Sequence, residues 1–146
     1  MPIKCHFHRL FEEAFREYAD EAWVEKVVEE VLRDEGALWK DQDISVHLTT
    51  DEAVRALQKG YDKLQTSTPV FALPASRLAH PPSPSHLGDI YISLPRLARE
   101  ARAQQKPVKG GLARVLVQGV LHLMDKAETA DAEERTEAIL ERVEQA

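Results

Sequence analysis

The sequence predicts an α+β domain, a small mixed β-sheet packed by several helices in the order βα–βα–β–β–ααα. Three observations lead there. Apolar residues alternate in period two through "IKCHFH" and "DISVHLTT", as in strands with one wet face. They recur at helical spacing from Leu10 to Leu32 and again near the C-terminus. Two further apolar runs, "TPVFALP" and "DIYIS", are too short for helices and are bounded by turn-forming residues. With 146 residues, the chain is expected to form a single domain over 1–146.

The elements follow in order. In "IKCHFH", Ile3, Cys5 and Phe7 fall on one side, and Lys4, His6 and His8 on the other. His6 and His8 could be paired ligands, but an exposed strand face explains them as well. The helical pattern of 10–32 reads as one helix or as two broken near Asp20, with Gly36 as a C-terminal stop. In "DISVHLTT", Ile44, Val46 and Leu48 alternate with Ser45, His47 and Thr49. Thr50 is a candidate N-cap for the short helix of "TDEAVRALQKGY", with acids in its first turn. Pro69 places "TPVFALP" at a sheet edge or a strand entry.

"PASRLAHPPSPSHLGD" is a loop whose prolines forbid a helix. Its His80 and His86 read as solvated histidines. Ser93 follows the strand "DIYIS" and can cap a helix running through Leu94, Leu97, Ala98 and Ala101. After "KPVKGG" comes a helix from Leu112 to about Met124, apolar almost all round and therefore buried. Two polar residues interrupt it one turn apart, Gln118 and His122. The final helix opens with Asp131 and Glu134 as a capping-box-like pair and carries Ile139, Leu140 and Val143 as its inner stripe.

Composition narrows the function classes. Apolar residues make up 43% and charged residues 30%, the balance of a soluble globular protein. No apolar run approaches the length of a membrane span, and "MPIKCHFHRLFEE" lacks a signal peptide's apolar region. Cys5 is the only cysteine, which excludes an internal disulfide and a thiol-rich zinc cluster and points to a reducing, cytoplasmic setting. The net charge is −6, yet "SLPRLAREARAQQKPVKGGLAR" carries Arg96, Arg99, Arg102, Lys106, Lys109 and Arg114 against Glu100 alone. Such a segment is either a solvated helix face or a phosphate-binding surface. No Ser-His-Asp order, P-loop or dinucleotide glycine motif offers a rival chemistry.

Four pieces of the chain, in colinear order, resemble the YbeY family of metal-dependent endoribonucleases. The family's H-G-x-L-H-L-x-G-Y-D-H appears as Gln118-Gly119-Val120-Leu121-His122-Leu123-Met124-Asp125-Lys126-Ala127-Glu128. Its L-N-x-x-Y-R appears as Leu57-Gln58-Lys59-Gly60-Tyr61-Asp62, and its T-D-V-L-S-F-P as Thr68-Pro69-Val70-Phe71-Ala72-Leu73-Pro74. Its L-G-D-I matches Leu87-Gly88-Asp89-Ile90. The resemblance covers roughly Ile44 to the C-terminus.

The resemblance implies a YbeY-like fold, an RNA or ribosome partner, and a zinc site at the three histidine positions. Here those positions are Gln118, His122 and Glu128, so one imidazole of three remains. Hydrolytic zinc needs three good protein ligands and an open position for water. Asp125 or Asp131 could stand in for Glu128, and such a set would hold a divalent metal weakly or not at all. Asp62 stands at the family's arginine position, where a carboxylate repels the phosphate that a guanidinium would clamp.

Three expectations remain open. One is a divergent family member associated with ribosomal RNA, with an eroded metal site and little or no catalysis. Another is an active single-strand endoribonuclease of ribosomal RNA maturation with unusual ligands. The third is a protein-interaction module working through acidic helices.

Overall fold

The structure is a computed structural model. It describes residues 4–9, 18, 20–34, 43–61, 68–78, 80, 85–124 and 130–145. Four strands, β1 (Lys4–Arg9), β2 (Asp43–Thr49), β3 (Val70–Pro74) and β4 (His86–Ser93), form one sheet in the order β1-β2-β4-β3. The first three in that order run parallel, and β3 closes the edge antiparallel to β4, so the sheet is mixed as expected. Among the described residues five α-helices accompany it: α1 (Glu21–Asp34), α2 (Asp51–Tyr61), α3 (Leu94–Ala103), α4 (Val108–Leu123) and α5 (Ala132–Gln145).

Local chemistry sets most boundaries. The carboxylate of Asp20 accepts the Trp23 N–H at 3.1 Å and caps α1, which starts at Glu21. Thr50 Oγ1 accepts the Ala53 N–H at 3.2 Å, and Ser93 Oγ accepts the Arg96 N–H at 3.3 Å. Asp131 precedes α5 as expected, and its carboxylate pairs with Arg135 at 3.1 Å. The helical reading of 10–17 and the stop at Gly36 lie outside the described residues.

Two boundaries differ from expectation. β4 starts at His86, three residues before "DIYIS", because parallel pairing with β2 carries the strand back to Asp43↔His86. His86 is therefore not a solvated loop histidine; its side chain is 1% exposed. α4 starts at Val108, four residues before Leu112. Pro107 enters the helix in extended backbone, and Gly110 and Gly111 are tolerated near an end whose first N–H groups have no partner within the helix.

The sheet has two covered faces. Ile44, Val46, Leu48, Ile90 and Ile92 point to the main core, where they meet α1 and α4 through Val27, Val28, Leu116, Val117 and Val120. Burying each such side chain contributes about 1.5–3 kcal/mol. On the other face Val54 of α2 packs with Phe71 and Leu73 of β3. α4 lies close on the sheet at Gly119, where a Cβ would stand 3.1 Å from Ile90 Cγ2.

Candidate functional site

α4 is buried on most sides, but Gln118 and His122 are exposed. Four residues apart on a helix, they share a face. That face forms the floor of a cleft of about 450 Å³ between β3 and α5. β3 and the residue before its entry proline contribute Thr68, Val70, Phe71 and Ala72; α5 contributes Ala132, Glu133 and Thr136. The α5 wall is held locally, since the buried Thr136 donates its hydroxyl to the Ala132 carbonyl at 2.9 Å. Gln58 fixes the opposite wall. Buried at the end of α2, it donates through Nε2 to Thr68 Oγ1 at 2.9 Å and to the Thr68 carbonyl at 3.2 Å.

The structure thus brings Gln118 and His122 together, and adds Glu133. Glu128 and Asp62, the other positions implied by the resemblance, lie outside the described residues, as does Asp125. For β1 the backbone is described but the side chains are not, so His6 and His8 are placed only by register, His6↔Ser45 and His8↔His47. Among the described residues no three His, Cys, Asp or Glu side chains stand close enough to hold a metal ion. The described donors of the cleft are one imidazole, one neutral amide and one carboxylate. That set does not fit a hydrolytic zinc centre, which needs three good ligands. Nor does any Lys or Arg occur among the described residues lining the cleft.

The basic segment divides in two. Arg96 lies 3.2 Å from Glu100 and 3.9 Å from Asp51, and Arg114 lies 2.7 Å from Glu137, so both guanidinium groups are engaged within the fold. Arg102, Lys106 and Lys109 converge with Tyr18 on a shallow depression of about 490 Å³ at the α3–α4 corner. Gln105 turns that corner at φ 55, and the Lys106 N–H closes it on the Ala101 carbonyl at 2.8 Å. Lys109 Nζ sits 4.3 Å from the centroid of the Trp23 ring, whose Nε1 donates to the Lys109 carbonyl at 3.3 Å. Arg99 is exposed on the neighbouring turn of α3.

A second polar cluster lies where sequence reasoning placed only strand faces and a loop. His86 has a carboxylate at each ring nitrogen, Asp43 at Nδ1 and Asp89 at Nε2. His47 Nε2 reaches the other Asp89 oxygen at 2.9 Å, and the His47 ring stacks on Tyr91 with centroids 4.2 Å apart. Burial opposes a charge on His86, but the hydrogen bonds and charges of Asp43 and Asp89 outweigh it and raise the imidazole above its ordinary value of 6.5. Burial also opposes charge on Asp89, and the bonds from His47 and His86 overcome it and lower that carboxyl below 3.8. The cluster ties the start of β4 to the start of β2. Period-two alternation put His47 on this face, but the pairing with His86 is a long-range contact.

This arrangement of a mixed four-stranded sheet and its helices is a fold already seen. The solution structure of TM1509 from Thermotoga maritima superposes with a TM-score of 0.57 at 18% identity, covering 94% of this chain and 88% of that one. Sequence then gives the family. The family model described as Endoribonuclease YbeY matches residues 9–144, and the chain belongs to the YbeY family. It is 39% identical over 109 residues to an Endoribonuclease YbeY of Anaeromyxobacter sp. (strain Fw109-5), covering 71% of this chain and 55% of that protein. Another, from Bradyrhizobium sp. (strain BTAi1 / ATCC BAA-1182), is 36% identical over 104 residues, 68% of this chain and 62% of that protein. With that of Halorhodospira halophila (strain DSM 244 / SL1) the identity is 32% over 124 residues, 79% of this chain and 76% of that protein. The chain therefore spans little more than half the length of the first two. Among the described residues no helix is long and apolar enough to cross a membrane.

Proposed function

We propose that this chain is a divergent YbeY protein that associates with ribosomal RNA or the ribosome in the cytoplasm and has little or no nuclease activity of its own. One observation carries the reading: the cleft over α4 pairs His122 with the neutral amide of Gln118 where the family resemblance implies imidazoles. A weak donor set lowers metal affinity and leaves a bound water less acidic. With Glu133 at the wall and no cation among the described residues lining the cleft, none of these residues clamps a scissile phosphate either. RNA affinity rests instead on Arg102, Lys106 and Lys109 at the α3–α4 corner, with Arg99 beside them. The test is elemental analysis of protein purified without chelator, run beside a cleavage assay on single-stranded RNA. The expected result is well under one equivalent of zinc and no chelator-sensitive cleavage. Stoichiometric zinc that is lost in His122→Ala would overturn it.

A second reading, an active metal-dependent endoribonuclease with unusual ligands, draws support from Glu133. It gives the cleft a carboxylate beside His122 and so a second anionic or imidazole donor. Chelator-sensitive cleavage by the unaltered chain would select this reading.

A further inference from the structure

The cleft on α4 is better suited to a flat ligand rich in hydrogen-bond donors than to a phosphate. Its walls include apolar surface from Val70, Ala72 and Leu121. Its polar groups include the Glu133 carboxylate, which only accepts, and the Gln118 amide, which both donates and accepts. A volume of about 450 Å³ lies within the range of small-ligand sites. An unstacked nucleobase has this chemistry, and single-stranded RNA is recognised mainly through such splayed bases.

Among the four bases, the Glu133 carboxylate favours one. Guanine alone presents two adjacent donors on its Watson–Crick edge, N1–H and the N2 amino group, and a carboxylate can accept both in parallel. Its O6, next in line, is an acceptor that the Gln118 amide can serve. Adenine and cytosine turn a ring-nitrogen lone pair toward the same carboxylate, and uracil offers one donor between two acceptors.

A groove lies between the basic corner and the cleft. Lys106 and Pro107 line both the basic corner and a groove that holds Pro69 and Arg114. Pro69 adjoins Thr68 at the wall of the cleft. From Gly110 to Gln118 the axis of α4 covers about 12 Å, or about three to four nucleotides of stacked single strand.

We infer that the Gln118–Glu133 cleft reads an unpaired guanine base of RNA whose backbone is held at the Arg102–Lys106–Lys109 corner. This rests on the RNA association proposed above and names what that site recognises.

Fluorescence anisotropy decides it, with a short oligouridine RNA carrying one central guanosine, inosine or adenosine. The guanosine RNA should bind at least about tenfold more tightly than the adenosine RNA, the size of a good bidentate base contact. Inosine lacks the N2 amino group and should fall between them. Glu133→Ala, at an exposed position, should level the series while circular dichroism stays unchanged. Equal affinities across the series, or a guanosine preference that survives Glu133→Ala, would overturn the base reading. If the RNAs bind with strong salt dependence but no base preference, the RNA association stands and the cleft's role falls. If none binds, both fall.

Discussion

His86 Nε2 lies 3.1 Å from Asp89 Oδ2, while Nδ1 of the same ring meets Asp43. An imidazole facing carboxylates at both nitrogens can satisfy both only as a double donor, that is, as the cation. Since His86 is raised above 6.5, its contribution is fully present below that pH and is lost as pH rises through the folded-state value. Asp89 is lowered below 3.8, so its contribution is present above 3.8 and is lost as pH falls through its folded-state value. Stability from this cluster should therefore be greatest between about pH 4 and 6.5 and decline on the alkaline side. Thermal melts across pH 5–9 should show a falling Tm for the native chain. In His86→Gln, starting from a lower Tm, that decline should flatten. An identical alkaline slope in both proteins would remove His86 as its source.

That cluster also shows what the sequence could not reveal. Caps are local, so Thr50 and Ser93 were readable from a few neighbouring residues. Period-two alternation correctly oriented Ile44, Val46 and Leu48 toward the core. His86 was not readable, because it is drawn into β4 by Asp43, 43 positions away. Glu133 was missed for the same reason. It belongs to the cleft only because α5 packs across α4 beside Gln118 and His122. The basic segment was legible as a composition bias and not as a surface, since Glu137 and Asp51, remote in sequence, engage Arg114 and Arg96.

This division predicts unequal roles for the six basic residues in RNA binding. Each phosphate neutralised on a single strand contributes about 0.7 to the slope of log affinity against log salt. The pair Arg102→Ala and Lys106→Ala should reduce that slope by up to about 1.4. Arg96→Ala should leave it nearly unchanged, because its guanidinium already serves Glu100 and Asp51. Equal losses from both changes would mean that the α3–α4 corner has no special part in holding RNA.

Gly119 offers a test of the packing beneath the cleft. A Cβ there would meet Ile90 at 3.1–3.4 Å, against a buried strand residue with little room to move. Gly119→Ala gains helix propensity and loses packing, so the two effects oppose each other. Gly119→Val adds two further methyl groups at the same contact and should destabilise by about 1–3 kcal/mol, the usual cost of overpacking. Urea unfolding should show a lower midpoint for valine with an unchanged slope. A wild-type midpoint would mean that α4 can lift from the sheet without cost.

The last prediction tests the proposed weakness of the metal site. Gln118 and His122 lie one turn apart on an exposed helical face, so Gln118→His creates two imidazoles pointing into one cleft, with Glu133 on its wall. Two imidazoles and a carboxylate are a recognised zinc set. The change is at an exposed position and should leave the melting temperature of the metal-free protein nearly unaltered. Calorimetric titration should then show zinc binding that the native chain lacks or shows only weakly, and zinc should raise the Tm of the variant in proportion to its affinity. Activity should lag behind binding, because the supporting hydrogen bonds that orient imidazoles at a working zinc site have not been rebuilt. A second change, Glu133→Ala, separates the ligands. If zinc affinity falls again, α5 supplies the third donor. If zinc affinity holds, the third donor comes from another part of the chain. If Gln118→His folds normally and gains no zinc at all, the α4 face is not where the metal site of this family stood in this chain.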